Sequence, residues 1–214
     1  MKGRLNLIFD WKAMGVNAYI PFIVVLVLIS YSKMKQDALT HIIPALELTF
    51  PVFAAWWSIF LFQDVVEEPG SETLFSYPIK RWKLGLARVG FFFIIYIILM
   101  LIMLFIIDQW LVTEEILLPL AIQLGTQSFF FAGVGFLSMV LFLKSGWALV
   151  ILVVYTSTQV LTRGTLIPIV NIFIFNQGVL PISDLWGPAL FSVLMGTIFW
   201  ALAHMLFLKI RHFV

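Results

Sequence analysis

The run VGFFFIIYIILMLIMLFII at residues 89–107 decides the fold class, because it contains neither a charged side chain nor a proline. An α-helix rises about 1.5 Å per residue, so about 20 apolar residues cross the ~30 Å hydrocarbon core of a bilayer. The run has that length, and a helix with no polar face has no side to turn toward water. We therefore interpret it as a membrane-spanning helix.

The composition of the whole chain agrees with this interpretation. Its 214 residues are 62% hydrophobic and 11% charged, and the mean hydropathy is +1.07. A soluble domain has about 25% charged and about 45–50% apolar residues, so this chain lacks the polar groups for a water-facing surface. The absence of cysteine excludes disulfide bonds and thiolate metal ligands, and the net charge of +2 gives no indication of a nucleic-acid partner. The composition predicts an all-α membrane protein.

Uncharged runs and their flanks predict six transmembrane helices. They lie at about residues 15–32, 44–63, 86–107, 116–143, 146–162 and 187–208. The basic N-terminus before an apolar run is similar to a signal peptide, but the run exceeds the usual 7–15 residues, which favours a retained anchor. Residues 3–14 are predicted to form an interfacial helix, because four apolar side chains cluster on one side: Leu7, Ile8, Trp11 and Met14. The chain is predicted to be a single transmembrane domain, residues 1–214.

Residues 164–183 (GTLIPIVNIFIFNQGVLPIS) are uncharged but are not predicted to span. Pro168, Pro181 and several amide side chains need hydrogen-bonding partners that lipid does not provide. With six spans and a cytoplasmic N-terminus, ten Lys and Arg residues lie inside and three outside, whereas a seventh span changes this to eight and five. Lys and Arg are enriched in the cytoplasmic loops of membrane proteins, so the six-span topology fits better. We therefore predict a re-entrant or interfacial external segment, with both termini cytoplasmic, in a cytoplasmic (inner) membrane.

Motifs for catalysis are absent from the sequence. It contains no G-x-x-x-x-G-K-[ST] phosphate-binding loop and no G-x-S-x-G nucleophile motif. The three histidines do not have a metal-ligand spacing such as H-E-x-x-H. We expect no enzymatic activity, no metal site and no cofactor bound by this chain.

Few ionisable residues lie in or near the predicted spans. Glu47 precedes Asp64 by 17 residues, so on one helix they lie about 25 Å apart, and each is predicted to cap one end of the second span. Glu47 is then an interfacial carboxylate or a partner of an external base such as Arg163; the alternative is a charged group that lines a substrate path. Trp56 and Phe130 could line a cavity for an amphiphile, or serve in helix packing.

The loop DVVEEPGSETLFSYPIKRWKLGLAR, residues 64–88, is the largest internal loop in this topology. Pro69-Gly70 is predicted to end the second span, and Ser71 to cap a short helix with acidic residues in its first turn. Pro78 ends this helix because it pushes Tyr77 out of the α region. The residues are consistent with an ordinary solvated loop or with a small amphipathic helix held below the membrane.

This loop resembles the cytoplasmic loop of the type-two ABC exporter permease family. In that family an acidic residue after the second span is followed by a Gly-[Ser/Thr] turn, a Glu-x-Leu-Leu-like helix, Pro and Arg. The resemblance covers the whole chain as architecture and about 25 residues as motif, with the Gly-Ser turn one residue closer to the helix than in the family pattern. The matching residues are Glu67, Glu68, Gly70, Glu72, Leu74, Phe75, Ser76, Pro78 and Arg81.

The resemblance implies that the chain is half of a permease, with residues 70–77 as a coupling helix. Two six-helix subunits, identical or homologous, would enclose a path for an amphiphilic substrate such as a peptide, an antibiotic or a lipid. A separate ABC ATPase would bind ATP and Mg²⁺, and membrane lipids would surround the complex. The alternatives are a stand-alone secondary transporter and a non-transporting membrane immunity or interaction protein.

Overall fold

The computed structural model describes residues 7–34, 38–67, 82–109 and 116–209. The regular secondary structure of this part of the chain is entirely helical, and it contains no strand. It forms seven α-helices: α1 (Leu7–Ala13), α2 (Ile20–Met34), α3 (Ala38–Phe60), α4 (Arg88–Asp108), α5 (Leu117–Phe142), α6 (Ser145–Thr162) and α7 (Ile182–Lys209). Short 3₁₀ helices occur at Gly15–Ala18 and Pro168–Val170, and short π-helices at Gln63–Glu67 and Lys83–Ala87.

Five helices, α3 to α7, are long and apolar enough to cross a membrane. This confirms the predicted all-helical class and is compatible with a multi-pass membrane protein. The first predicted span, residues 15–32, is instead divided between a 3₁₀ helix and the 15-residue helix α2. Gly15, the first residue of the 3₁₀ helix, has a φ of 55°, a left-handed conformation that glycine adopts without strain and that ends the α-helical backbone of α1.

Helix α3 begins earlier than the sequence predicts. The expected span starts at residue 44, but α3 starts at Ala38 and continues through Pro44 and Pro51. Each proline removes one N–H from the helical ladder, and neighbouring helices in a bundle can satisfy freed backbone groups. The Tyr96 hydroxyl of α4 also donates a hydrogen bond to the Phe50 carbonyl, one residue before Pro51, which attaches this part of α3 to α4.

The long helices alternate in direction, as successive crossings of a membrane require. Helices α3, α5 and α7 run one way, α4 runs against α3, and the short turn between α5 and α6 reverses the chain. The contacts that establish these directions are Glu47–Gln127 and Ala55–Gly135 for α3 with α5, Phe50–Tyr96 and Trp57–Phe92 for α3 with α4, and Phe130–Phe199 and Phe136–Phe207 for α5 with α7.

Helix α5 lies at the centre of the bundle and packs most extensively against α3 and α7. Two glycines make the close approach possible. A Cβ on Gly135 would lie 2.6 Å from the Ala55 carbonyl oxygen and 2.8 Å from the Ala55 Cα. On the other side, a Cβ on Gly133 would lie 3.1 Å from the Gly196 carbonyl oxygen. Small residues at these positions let helix backbones pack closely, as is common between membrane helices.

The N-terminal helix α1 packs against the bundle along one face. Asp10 and Arg88 form an ion pair of 2.8 Å between α1 and the start of α4, and their side chains are only 8% and 3% exposed. Trp11 contacts the rings of Trp57 and Phe92, among others. Ile8, which was expected on this face, is exposed instead. The helix was predicted, but the ion pair that anchors it was not.

Candidate functional site

A buried polar cluster joins α3, α5 and the irregular segment before α7. Glu47 is 1% exposed, and its carboxylate accepts four hydrogen bonds. The donors are Gln127 Nε2 at 2.8 Å, Gln123 Nε2 at 3.1 Å, and the backbone N–H groups of Ile174 at 2.6 Å and Phe175 at 2.9 Å. Four donors thus occupy the acceptor sites of a carboxylate that is shielded from solvent.

Helical geometry explains the two glutamines of this Glu47 cluster. Gln123 and Gln127 are four residues apart on α5 and therefore lie on the same face. Gln123 Nε2 also donates to Asn176 Oδ1 at 2.9 Å, and Asn176 Nδ2 donates back to Gln123 Oε1 at 3.2 Å. Gln127 Nε2 also donates to the Ile172 carbonyl at 3.0 Å. The amides thus join α5 to both the carboxylate and the segment.

Residues 171–181 contain no helix. The consecutive N–H groups of Ile174 and Phe175 both point at Glu47, and Phe175 has a φ of 57°. Successive N–H groups around a left-handed residue form a concave anion site, and here an internal carboxylate occupies it. The Glu47 cluster thereby holds this irregular backbone against α3.

Helix α6 holds the same segment from another side. The Tyr155 hydroxyl donates to the Val170 carbonyl at 2.7 Å, and Gln159 Nε2 donates to the Ile167 carbonyl at 3.2 Å. Gly164, with a φ of 76°, makes the turn that leaves α6, and the Asn171 side chain occupies the space of its missing Cβ. Non-helical backbone at membrane depth requires such internal partners. The structure therefore accounts for the prediction that residues 164–183 do not form a straight span.

The prediction that Glu47 caps the outer end of the second span is wrong. Glu47 lies nine residues inside α3, about 13 Å from Ala38 along the helix axis. Its hydrogen-bond donors in the described part of the chain are amides, and Arg163 is not among them. An acidic residue in an apolar run predicts the end of a span, but four hydrogen-bond donors allow Glu47 to lie within the helix.

At the opposite end of the bundle, Glu67 joins the end of the α3 region to the start of α6. Its Oε2 atom accepts hydrogen bonds from Ser145 Oγ at 2.7 Å and from the Ser145 N–H at 3.1 Å. Ser145 is the first residue of α6, where unpaired N–H groups and the helix dipole favour an anion. Glu67 is predicted as a coupling residue, and it is the one member of that set that lies within the described residues.

The chain returns from the loop through the π-helix Lys83–Ala87, which packs against α7. Leu84 and Gly85 are buried there, and a Cβ on Gly85 would lie 3.1 Å from Phe207. The other predicted coupling residues lie outside the described residues and remain predictions: Glu68, Gly70, Glu72, Leu74, Phe75, Ser76, Pro78 and Arg81.

The structure does not bring the three predicted path residues to one site. Phe130 is fully buried and contacts the rings of Phe131, Tyr155 and Phe199. Trp56 is partly buried and its ring pairs are with Phe53 and Phe60 of its own helix. Both aromatics therefore contribute to packing, and Phe130 also lines an apolar groove between α5, α6 and α7.

Sequence reasoning missed most of the Glu47 cluster. A signal was present, because Gln123 and Gln127 are polar residues at i, i+4 spacing inside an uncharged run. Polar side chains within membrane helices face the bundle interior or a cavity. That spacing predicts a shared polar face on α5, but it does not identify the partner, since Glu47 is 76 and 80 residues away in the chain.

Within the described ranges, no group of three or more His, Asp or Glu side chains has a geometry that could hold a metal ion. No protein-family model, no curated protein and no solved structure matches this chain. The function is therefore argued from the residues and contacts given above.

Proposed function

We propose that this chain is the permease half of an ATP-driven ABC exporter in a cytoplasmic membrane. A second copy, or a homologous permease, completes the path, and a separate ATPase subunit hydrolyses ATP. The substrate class is amphiphilic, such as a peptide, an antibiotic or a lipid-like molecule. The proposal rests on the resemblance of residues 64–88 to the coupling loop of that family and on how the two ends of this loop are attached.

The attachment of the loop is the observation that carries the proposal. On its upstream side, Glu67 is bonded to the first residue of α6. On its downstream side, Gly85 packs against Phe207 near the end of α7, and Arg88 is paired with Asp10 of α1. A displacement of residues 68–81 would therefore act directly on α6, α7 and α1. Both ends are π-helical, a geometry that occurs frequently at functional sites.

In this mechanism the ATPase moves the loop and the loop moves the spans. ATP binding brings two ATPase subunits together, and each carries one coupling helix with it. The permease then alternates between inward-open and outward-open states. ATP binding can shift this equilibrium only if the ATPase contacts the permease differently in the two states. Glu67–Ser145 and Gly85–Phe207 are the contacts through which this chain would transmit the movement.

A six-span topology is part of the proposal. The 3₁₀ helix Gly15–Ala18 contributes about 8 Å and α2 about 22 Å, so together they reach about 30 Å, one hydrocarbon thickness. Helix α2 starts near the α3 residue Trp57, whose indole N–H donates to the Ala18 carbonyl at 3.0 Å. Residues 15–34 would then form the first span and run against α3.

The surroundings of Glu47 argue against a role for this residue in proton transport. A proton carrier usually needs an ionisable group that reaches a water-filled path within the membrane. Glu47 is instead buried, and its oxygens are engaged by two glutamines and two backbone N–H groups. This favours a structural role for the carboxylate over the secondary-transporter alternative.

Replacing Phe75 with aspartate tests the docking of the ATPase. We expect the variant to insert normally but to lose the ATPase on purification in mild detergent. Phe75 is proposed to be the apolar side chain that anchors the coupling helix in the ATPase. Loss of such an anchor typically costs at least about 2 kcal/mol of binding free energy, roughly a thirtyfold weakening of the affinity. The measurement is co-purification of an ATPase subunit from the native host cell, together with substrate-stimulated ATP hydrolysis.

Trp82→Ala is the matched control, because Trp82 follows the coupling segment and is exposed. This variant should retain the ATPase. If Phe75→Asp co-purifies with the ATPase and transports normally, residues 70–77 are a solvated loop and the proposal is wrong. Recovery of the parent chain without any ATPase would also contradict it.

The topology is tested by labelling single cysteines in this naturally cysteine-free chain. A membrane-impermeant thiol reagent applied from outside intact cells should label cysteines at residues 37 and 112. It should reach residue 76 and the two termini only after permeabilisation. Labelling of the C-terminus from outside, with the N-terminus still protected, would show an odd number of spans and overturn the six-span topology.

A further inference from the structure

An apolar groove lies between α5, α6 and α7, away from the Glu47 cluster. Its volume is about 210 Å³. We call it the α5–α6 groove, and it is lined by Phe130, Val134, Leu137, Ser138, Leu141, Phe142, Ile151, Tyr155, Val170 and Phe199. Most of these lining residues belong to α5 and α6, and the 3₁₀ helix Pro168–Val170 contributes Val170.

The chemistry of the groove matches a hydrocarbon chain. Ser138 and Tyr155 supply its only hydroxyl groups among the lining residues, and both are already bonded within the protein. Ser138 Oγ donates to the Val134 carbonyl at 2.7 Å, and the Tyr155 hydroxyl donates to the Val170 carbonyl at 2.7 Å. A polar ligand group would leave its own hydrogen bonds unmade there, which is costly in an apolar setting.

The length of the groove matches one acyl chain. From Phe130 to Phe142 the lining follows α5 for 12 residues, about 18 Å along the axis, and one bilayer leaflet contributes about 15 Å of hydrocarbon. Phe130 at the deep end is fully buried, whereas Leu141 and Phe142 at the other end are 54% and 45% exposed. The groove therefore opens toward lipid at the end of α5.

A cation lies just beyond this opening. Lys144 follows Phe142 by two residues, is exposed, and stands immediately before α6. Trp147, in the first turn of α6, is also exposed, and tryptophan is typical of the membrane–water interface. The Glu67 carboxylate is nearby, but Ser145 and the N-terminus of α6 engage it. Lys144 can therefore reach a phosphate at the headgroup level.

We propose that the α5–α6 groove binds one acyl chain of an anionic membrane phospholipid, with the headgroup phosphate at Lys144. This site is independent of the transport proposal, because it requires neither an ATPase nor a second permease. Bound lipid would cover α5 and α6 next to the junction with Glu67, and so lies beside the contacts that the coupling loop uses.

The headgroup part is tested with photoreactive lipids. The full chain is reconstituted in phosphatidylcholine vesicles. One sample contains a trace of phosphatidylglycerol with a diazirine in its acyl chain, and a parallel sample contains phosphatidylcholine with the same diazirine. After illumination, the labelled residues are mapped by peptide mass spectrometry. We expect labels on α5 and α6 residues of the groove, with phosphatidylglycerol favoured about fivefold, as one basic residue near a membrane surface provides. Lys144→Gln should remove this preference, and Lys209→Gln, which alters an exposed lysine at the end of α7, should preserve it.

The acyl-chain part is tested by filling the groove. Val134→Trp should abolish labelling of the groove, whereas Val154→Trp, at an exposed position on α6, should leave it unchanged. Leu141→Lys, at the exposed opening, is a second variant for the case in which Val134→Trp does not fold. Labels spread evenly over the exposed faces of α4, α6 and α7, unaffected by these changes, would show ordinary annular contact and overturn the site. Equal labelling by the two lipids would overturn the role of Lys144.

Discussion

Glu47→Ala is expected to lower the free energy of unfolding by about 2–6 kcal/mol, the largest effect of any single substitution considered. The N–H groups of Ile174 and Phe175 lose their acceptor, and each buried donor without a partner costs about 1–3 kcal/mol. Gln123 and Gln127 keep other acceptors, Asn176 Oδ1 and the Ile172 carbonyl, so their lost bonds to Glu47 contribute less to the destabilisation. Unfolding of the detergent-solubilised protein by heat or by SDS provides the measurement.

A local signature separates this cause from general damage. Hydrogen exchange at the amides of Ile174 and Phe175 should accelerate in Glu47→Ala far more than exchange within α4. The exposed carboxylate Asp184, in the first turn of α7, provides the control, and Asp184→Ala should change neither stability nor exchange appreciably. Unchanged exchange at residues 174 and 175 would mean that Glu47 does not hold the segment.

Glu47→Gln refines the same test. The amide retains one oxygen acceptor but places an NH₂ group against donors, so we expect a loss of stability smaller than that of Glu47→Ala. A protein with this variant should retain ATP-driven export once folded. Complete loss of transport with unchanged stability would instead indicate the secondary-transporter alternative, in which the carboxylate itself carries a proton.

Gly135→Ala is expected to destabilise the bundle by about 1–3 kcal/mol, although it adds only one methyl group. The new Cβ would meet the Ala55 backbone at 2.6 and 2.8 Å, and backbone atoms cannot move aside as a flexible side chain can. Helices α3 and α5 must therefore separate, with loss of packing on both sides of the contact. SDS or thermal unfolding of the detergent-solubilised variant measures the effect.

Gly125→Ala is the matched control on the same helix. Its Cβ would lie 3.5 Å from the flexible end of Met100 and 3.9 Å from Ile97, both ordinary contacts. The alanine should be neutral or stabilising by up to about 1 kcal/mol, because it restricts the unfolded chain and favours the helix. Equal stability of the Gly125 and Gly135 variants would show that α3 and α5 are not in close contact at Ala55.

The helical class and the places of the long helices are local properties of the sequence. An uncharged run such as residues 89–107 has no polar face, so it forms a helix shielded from water wherever its neighbours lie. Helices α4 to α6 accordingly begin and end within about two residues of the predicted spans. The irregularity of residues 164–181 was also local, since their prolines and amides disfavour a straight helix.

Only the tertiary structure decided where the polar groups find their partners. Glu47 could sit inside α3 because backbone N–H groups 127 and 128 residues away complete its hydrogen bonds, and apolar periodicity contains no information about such distant pairs. The same holds for Asp10 with Arg88, 78 residues apart, and for Gly135, whose need to be glycine depends on the Ala55 backbone of another helix. An acidic side chain in an apolar run either ends the span or is buried within it. Burial is favoured only when hydrogen bonds from distant parts of the chain offset the free energy of removing the side chain from water.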